Sequence, residues 1–198
     1  MYNIYNFVGT HAWVPERTLY LVNAGSRAYG TSVEGSDVDL RGFCICPPEY
    51  YMGFQKFEQH TQKDPDVVIY DVRKFLTLAA DGNPNMIDHL FVEDEDVVYS
   101  HPSVKMIREN RHMFLSQRMP TKYIGFTIGE LKRVGKLNEQ HKIGLLTDKE
   151  LYKPMYHVVR LMNMCTEIIT ESTVRVRRPD ASKLIEIRHG LWSFDQLK

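Results

Sequence analysis

Cysteine is scarce in this chain. Of its 198 residues only Cys44, Cys46 and Cys165 are cysteines. An odd count, with two of the three in a Cys-X-Cys pair on an expected strand, builds neither a disulfide framework nor a zinc site. Buried, reduced thiols in a cytoplasmic protein are expected instead. Long apolar runs are also missing, so no segment is expected to span a membrane. The opening Met-Tyr-Asn-Ile-Tyr-Asn-Phe lacks the basic start and apolar core of a signal peptide. There is no internal repeat and no low-complexity linker. Net charge is absent too, with 25 basic against 25 acidic residues, which argues against tight non-specific binding to nucleic acid.

That neutrality conceals a split. Residues 1–100 hold 7 Lys and Arg against 15 Asp and Glu, and residues 101–198 hold 18 against 10. An acidic half suits divalent cations and a basic half suits phosphates. Two domains are expected on this division, 1–100 and 101–198. Mutual attraction or simple solvation of the two halves explains the split equally well.

The first half alternates strand and helix signals. Thr18 to Asn23 reads as a strand that runs into Gly25-Ser26 and a short helix. Asp37 to Cys46 reads as a second strand, stopped by Pro47-Pro48, with a turn of helix over Glu49 to Met52. Two further strands are expected over Phe57 to Gln62 and Asp66 to Tyr70. Asp71 is placed to cap a helix through Ala80, and another helix runs from Pro84 to Phe91. Glu93 to Asp96 reads as a solvated turn before the next helix. The second half is mostly helical, with apolar spacing of three and four over Pro102 to Ser116, Thr121 to Leu137 and Asp148 to Thr170. Thr173 to Arg178 reads as an edge strand whose arginines are solvated. Asp180 is expected to cap a helix to Arg188 that ends at Gly190, and Ser193 to Lys198 looks like the start of another.

The chemistry concentrates between Gly25 and Gly42. Gly25-Ser26 before a helix start lets backbone approach a phosphate and offers unpaired N–H groups to it. On a strand, residues i and i+2 project to the same side, so Asp37, Asp39 and Arg41 are expected to share one face. Two adjacent carboxylates repel unless a cation joins them, and Mg²⁺ (or Mn²⁺) takes oxygen ligands of this kind. Two such ions can clamp the attacking and leaving oxygens of a phosphoryl displacement. Arg41 and Arg27 are the nearby cations, Arg41 being placed either for phosphate or for a carboxylate. A third carboxylate completes such a site. Asp66 is preferred over Asp71, whose position suits helix capping. Singly, Gly-Ser and Asp-X-Asp are common in turns; their order and spacing carry the weight.

This pattern resembles the signature of the DNA polymerase beta superfamily of nucleotidyltransferases. More closely, Gly25-Ser26-Arg27-Ala28-Tyr29-Gly30 and Ser36-Asp37-Val38-Asp39-Leu40-Arg41-Gly42 resemble the predicted nucleotidyltransferases of bacteria and phages, some of them associated with RNA repair. Arg73-Lys74-Phe75, Gly82-Asn83-Pro84-Asn85, His157-Val158-Val159-Arg160 and Ile187-Arg188-His189-Gly190 extend the resemblance over residues 18 to 190. It implies an α+β fold, a small mixed β-sheet nucleotidyltransferase core flanked by helices and followed by a helical domain. It implies triphosphate binding by Gly25 and Ser26, and metal binding by Asp37, Asp39 and Asp66. The expected activity is transfer of NMP from an NTP to a hydroxyl, with RNA as the favoured acceptor. A protein hydroxyl as acceptor, or a nucleotide- or RNA-binding module with little turnover, are the rival readings. His157 and Arg160, three apart on one helix, are expected either to reach a nucleotide or to sit buried in hydrogen bonds and ion pairs.

Overall fold

A computed structural model describes residues 7–193 and residue 196. The chain divides into two compact units, residues 1–116 and 117–198. The first unit begins with a turn of helix, α1 (Val14–Arg17), that feeds β1 (Thr18–Asn23), the aliphatic and aromatic run read as a strand. A short α2 (Gly25–Ala28) follows, and a loop leads to β2 (Asp39–Cys44). Beyond α3 (Glu49–Met52), the hairpin of β3 (Gln59–Lys63) and β4 (Asp66–Asp71) turns through a cis Asp64–Pro65 bond. Then come α4 (Val72–Ala80), α5 (Pro84–Phe91), β5 (Val97–Ser100) and α6 (Val104–Glu109).

The five strands form one mixed sheet in the order β3-β4-β2-β1-β5. Only β2 and β4 are parallel. Strand alternation divides β2 between two layers. Leu40 and Cys44 join Val14, Leu21 and Ile69 in one core. Phe43, on the other face with Asp39 and Arg41, packs its ring 5.4 Å from that of Tyr20 and 4.7 Å from that of Phe75 on α4. The residues that close this core therefore also aim Asp39 and Arg41.

Asp71 caps α4 as expected, its carboxylate accepting from the backbone N–H groups of Arg73 and Lys74. It also accepts from the Tyr51 hydroxyl at 2.8 Å and the Cys46 thiol at 3.1 Å. Asn83 caps α5 in the same way, ahead of Pro84.

Four sequence expectations need correction. The acidic run Asp94–Asp96 is a 3-10 turn that enters β5, not a helix; Asp96 is buried and Asp94 pairs with Arg108 at 2.9 Å. The strand escaped notice because it has four residues and pairs only with β1. The expected helix over Pro102 to Ser116 stops at Glu109, where the Asn110 side chain donates to the Met106 carbonyl at 2.8 Å. That side-chain bond competes with the helical ladder, and a 3-10 turn over Arg111–Phe114 replaces it. Thr173 to Arg178 is not a strand. The pull on it is ionic: the buried Arg178 guanidinium donates two bonds of 2.7 Å to Glu167 and one of 2.8 Å to Asp180. The Asp180 carboxylate, occupied by Arg178 and by Asn163 at 2.6 Å, makes no side-chain cap.

The second unit contains α7 (Met119–Lys142), α8 (Asp148–Glu171) and α9 (Ala181–Arg188). Val134, Leu151, Met155, Tyr156, Leu184 and Ile187 form its core. Thr147 and Glu150 make a reciprocal capping box at the start of α8. Gly190 ends the α9 segment with φ of 75°. The helix expected from Ser193 to Lys198 lies largely outside the described residues. No helix among the described residues is long and apolar enough to cross a membrane.

Candidate functional site

The antiparallel pairing of β1 with β2 brings the end of one strand to the start of the other. Ala24 N–H donates to the Asp39 carbonyl at 2.8 Å. The next residue, Gly25, has φ of +60°, a conformation that L side chains rarely adopt. A methyl group on Gly25 would also overlap Asp39 Oδ2, so a side chain there would push the Asp39 carboxylate aside. The glycine backbone and the Asp39 carboxylate are thus in direct apposition. Ser26 is partly buried and Arg27 is exposed to solvent.

Asp37 lies outside the strand. β2 begins at Asp39, so strand parity does not align Asp37 with Asp39 and Arg41 as expected. The preceding loop turns through Gly35, with φ of 75°, while Ser36 Oγ accepts from the Val33 amide at 2.9 Å. These turns deliver an exposed Asp37 to the head of β2.

Asp66 arrives by register. It pairs with Asp39 across the parallel β2–β4 ladder, where strands lie about 4.8 Å apart. Between them stands Arg41. Its guanidinium grips Asp66 through two bonds of 3.0 Å, and Nη2 lies 3.9 Å from Asp39 Oδ1. It also donates to the Leu40 and Asp66 carbonyls at 2.9 and 3.1 Å. Of its two expected contacts, the one with a carboxylate is thus present. Asp71 sits at the far end of β4, opposite Cys44, with its carboxylate committed to the α4 cap. Beneath Arg41, His89 is stacked on Phe75 with ring centroids 6.3 Å apart. Burial, with the Arg41 charge adding to it, pushes the His89 pKa down to about 3.

A pocket of about 590 Å³ opens beside these acids. Asp37 and Val38 line it, together with Thr61 to Asp66 of the hairpin. Sequence reasoning passed over Lys63, an exposed cation directly across the ladder from Asp66. Its only signal was a turn written Lys-Asp-Pro.

Among the described residues, no group of three His, Cys, Asp or Glu side chains is spaced to hold a metal ion. The donor chemistry nonetheless fits a hard divalent cation: carboxylates at Asp37, Asp39 and Asp66, with no thiol or imidazole among them. An ionised carboxylate has about four lone-pair sites. Arg41 takes two of those on Asp66, which leaves acceptor capacity on a side chain that is 41% exposed.

His157 and Arg160 belong to α8 in the second unit. Arg160 is 3% exposed and donates to Met164 Sδ at 3.0 Å. His157 lies with its ring 4.1 Å from that of Tyr156. Burial first, then Arg160 and Lys153, pushes its pKa down to about 3. Arg160 is thus an interior residue, while His157 keeps part of its surface exposed.

A family model described as the RNA repair pathway DNA polymerase beta family matches residues 5–187. An uncharacterized 38.9 kDa protein in the nrdC-mobD intergenic region of Enterobacteria phage T4 is 32% identical over 125 residues, 56% of this chain and 37% of that protein. The uncharacterized protein YcgL of Bacillus subtilis (strain 168) is 30% identical over 88 residues, 42% of this chain and 32% of that protein. The chain is thus matched to about a third of the length of each of these relatives. No solved structure matches.

Proposed function

This chain belongs to the RNA repair pathway DNA polymerase beta family, and from that premise we propose that it is a metal-dependent nucleotidyltransferase that moves NMP from an NTP to an RNA hydroxyl, releasing pyrophosphate. The observation that carries this reading is the apposition of the Gly25 backbone and the Asp39 carboxylate, with Asp66 across the parallel ladder. A phosphate-accepting turn and an acidic centre then share one end of the sheet's central strands.

In this reading the turn at Gly25 and Ser26 holds the β- and γ-phosphates through backbone N–H groups and the Ser26 hydroxyl. Arg27 lies next to them, in solvent, to meet phosphate charge. Asp37 and Asp39 would hold Mg²⁺ or Mn²⁺, with Asp66 offering its remaining lone pairs; such a cation, when bound, would supply charge neutralisation to the phosphoryl group. Arg41 orients the Asp66 carboxylate through two hydrogen bonds, a positioning role. Attack and departure in such transfers are roughly in line. With the triphosphate on the β1 side, the acceptor hydroxyl approaches from the β4 side, where the pocket beside Asp37 and Asp66 lies. The family's description as an RNA repair family supports RNA as the acceptor.

The test is a screen of the four NTPs with Mg²⁺ or Mn²⁺, with and without RNA, read as pyrophosphate release. Release with at least one NTP that requires both the metal and RNA is expected. No release under any combination would overturn the proposal, and release driven by a protein acceptor but not RNA would move the activity to protein modification.

A further inference from the structure

α7 carries two unlike sides. At 3.6 residues per turn, Tyr123, Thr127, Val134 and Asn138 fall together, and all are buried. Turned away from them, within about a third of the helix circumference, lie Lys122, Lys132, Arg133 and Lys136, all exposed. Lys132 and Lys136 make no ion pair among the described residues. Of the two acids of α7, Glu130 pairs with Arg133 of this strip at 3.0 Å and Glu139 pairs with Lys142 at 2.9 Å, so Lys132 and Lys136 carry the strip's open charge. Phe126 stands in the same strip, 41% exposed.

The strip also holds Gly125 and Gly129, both exposed, and a side chain added at either would meet nothing within 4 Å. Mid-helix glycine is about 1 kcal/mol less favourable than alanine, and packing within the described residues gives no reason for it. Bare helix backbone between lysines lets a partner's own backbone come close. Such a partner is anionic along its length and offers flat apolar faces to Phe126.

We propose that this face of α7 binds single-stranded RNA, with phosphates on the lysines and a base stacked on Phe126. From Lys122 to Lys136 the strip runs about 21 Å at 1.5 Å per residue. Charge separates this occupant from a second copy of the chain, whose own lysines would face these across the contact. The inference rests on the reading of RNA as acceptor and adds where, outside the catalytic unit, that RNA is held.

The experiment is fluorescence anisotropy of a labelled single-stranded RNA with the full chain, without NTP or divalent metal, across a range of KCl. Thermal melting confirms that each variant folds. Lys132→Ala with Lys136→Ala is expected to reduce the salt slope by about 1.4, since each phosphate contact on a single strand contributes about 0.7. Phe126→Ala should weaken binding by about tenfold, the loss of one stacked base. Gly125→Ala with Gly129→Ala should raise the melting temperature, as better helix formers, yet weaken RNA binding. Unchanged affinity and slope in the lysine and phenylalanine variants would overturn the proposal. So would a dimer, seen by sedimentation, that the glycine variant dissolves without altering RNA affinity. Binding that responds to these variants in a chain that releases no pyrophosphate would refute the catalytic reading and leave this one standing. RNA-dependent transfer with binding indifferent to them would do the reverse.

Discussion

Gly25 is the residue on which the site turns. Its positive φ strains any L side chain, and a side chain there would displace the Asp39 carboxylate. Gly25→Ala is expected to cost about 1–3 kcal/mol in left-handed strain and overlap. Displacing Asp39 by about 1 Å should also slow transfer on the order of a hundredfold. Thermal melting together with pyrophosphate release will read the two effects separately. The need for glycine here was legible in Gly-Ser before a helix; its contact with Asp39 was not, because it depends on antiparallel register between two strands. Arg41 shows the same limit. Sequence placed it beside the acids without naming which carboxylate it would meet, and the β2–β4 register supplies Asp66 at 3.0 Å. A second prediction at this scale concerns His157. Its folded pKa, about 3, lies below the unfolded value near 6.5. Between those values the unfolded chain binds the extra proton, so stability rises with pH across the window and is lost as pH falls below about 6.5. The slope from one such histidine is at most about 1.4 kcal/mol per pH unit. Urea melts between pH 4 and 7 should show it, and His157→Gln should flatten it.

Among elements, helices and strands with strong local signals were read closely. β1 runs from Thr18 to Asn23 and α5 from Pro84 to Phe91, as expected. In β1 the apolar run ends at a glycine turn, and in α5 an Asn-Pro start fixes the first turn. The misreadings arose where a side chain far along the chain decides. Thr173 to Arg178 has strand composition, yet a buried guanidinium anchors it to Glu167 and Asp180. Asp37 has strand spacing, yet the Gly35 turn holds it ahead of the ladder. Asp71 illustrates how one carboxylate ties elements together. It caps α4, accepts from Tyr51 of α3 and accepts from Cys46 just beyond β2. Asp71→Ala removes the cap and orphans these donors, and should destabilise by about 2–4 kcal/mol. Denaturant melts will measure this. If Asp71 is structural, as this network indicates, the transfer rate of the folded variant should stay near that of the parent.

At the scale of the whole molecule, the charge division was counted at residue 100, whereas the two compact units divide between residues 116 and 117. The carboxylates at the proposed metal site belong to the first, and the basic face of α7 to the second. Sequence conveyed this polarity because charge counts need no fold. It could not convey the exposed strip on α7, which emerges only when the buried side of that helix is known. Asp37 and Asp39 remain the test of the whole account. The decisive measurement compares Mg²⁺-dependent pyrophosphate release, with RNA present, between the parent chain and a variant carrying Asp37→Ala and Asp39→Ala. Release should fall by at least about a thousandfold, the scale at which catalytic charge stabilisation is lost, while the melting transition stays cooperative. Undiminished release from a folded double variant would contradict the account.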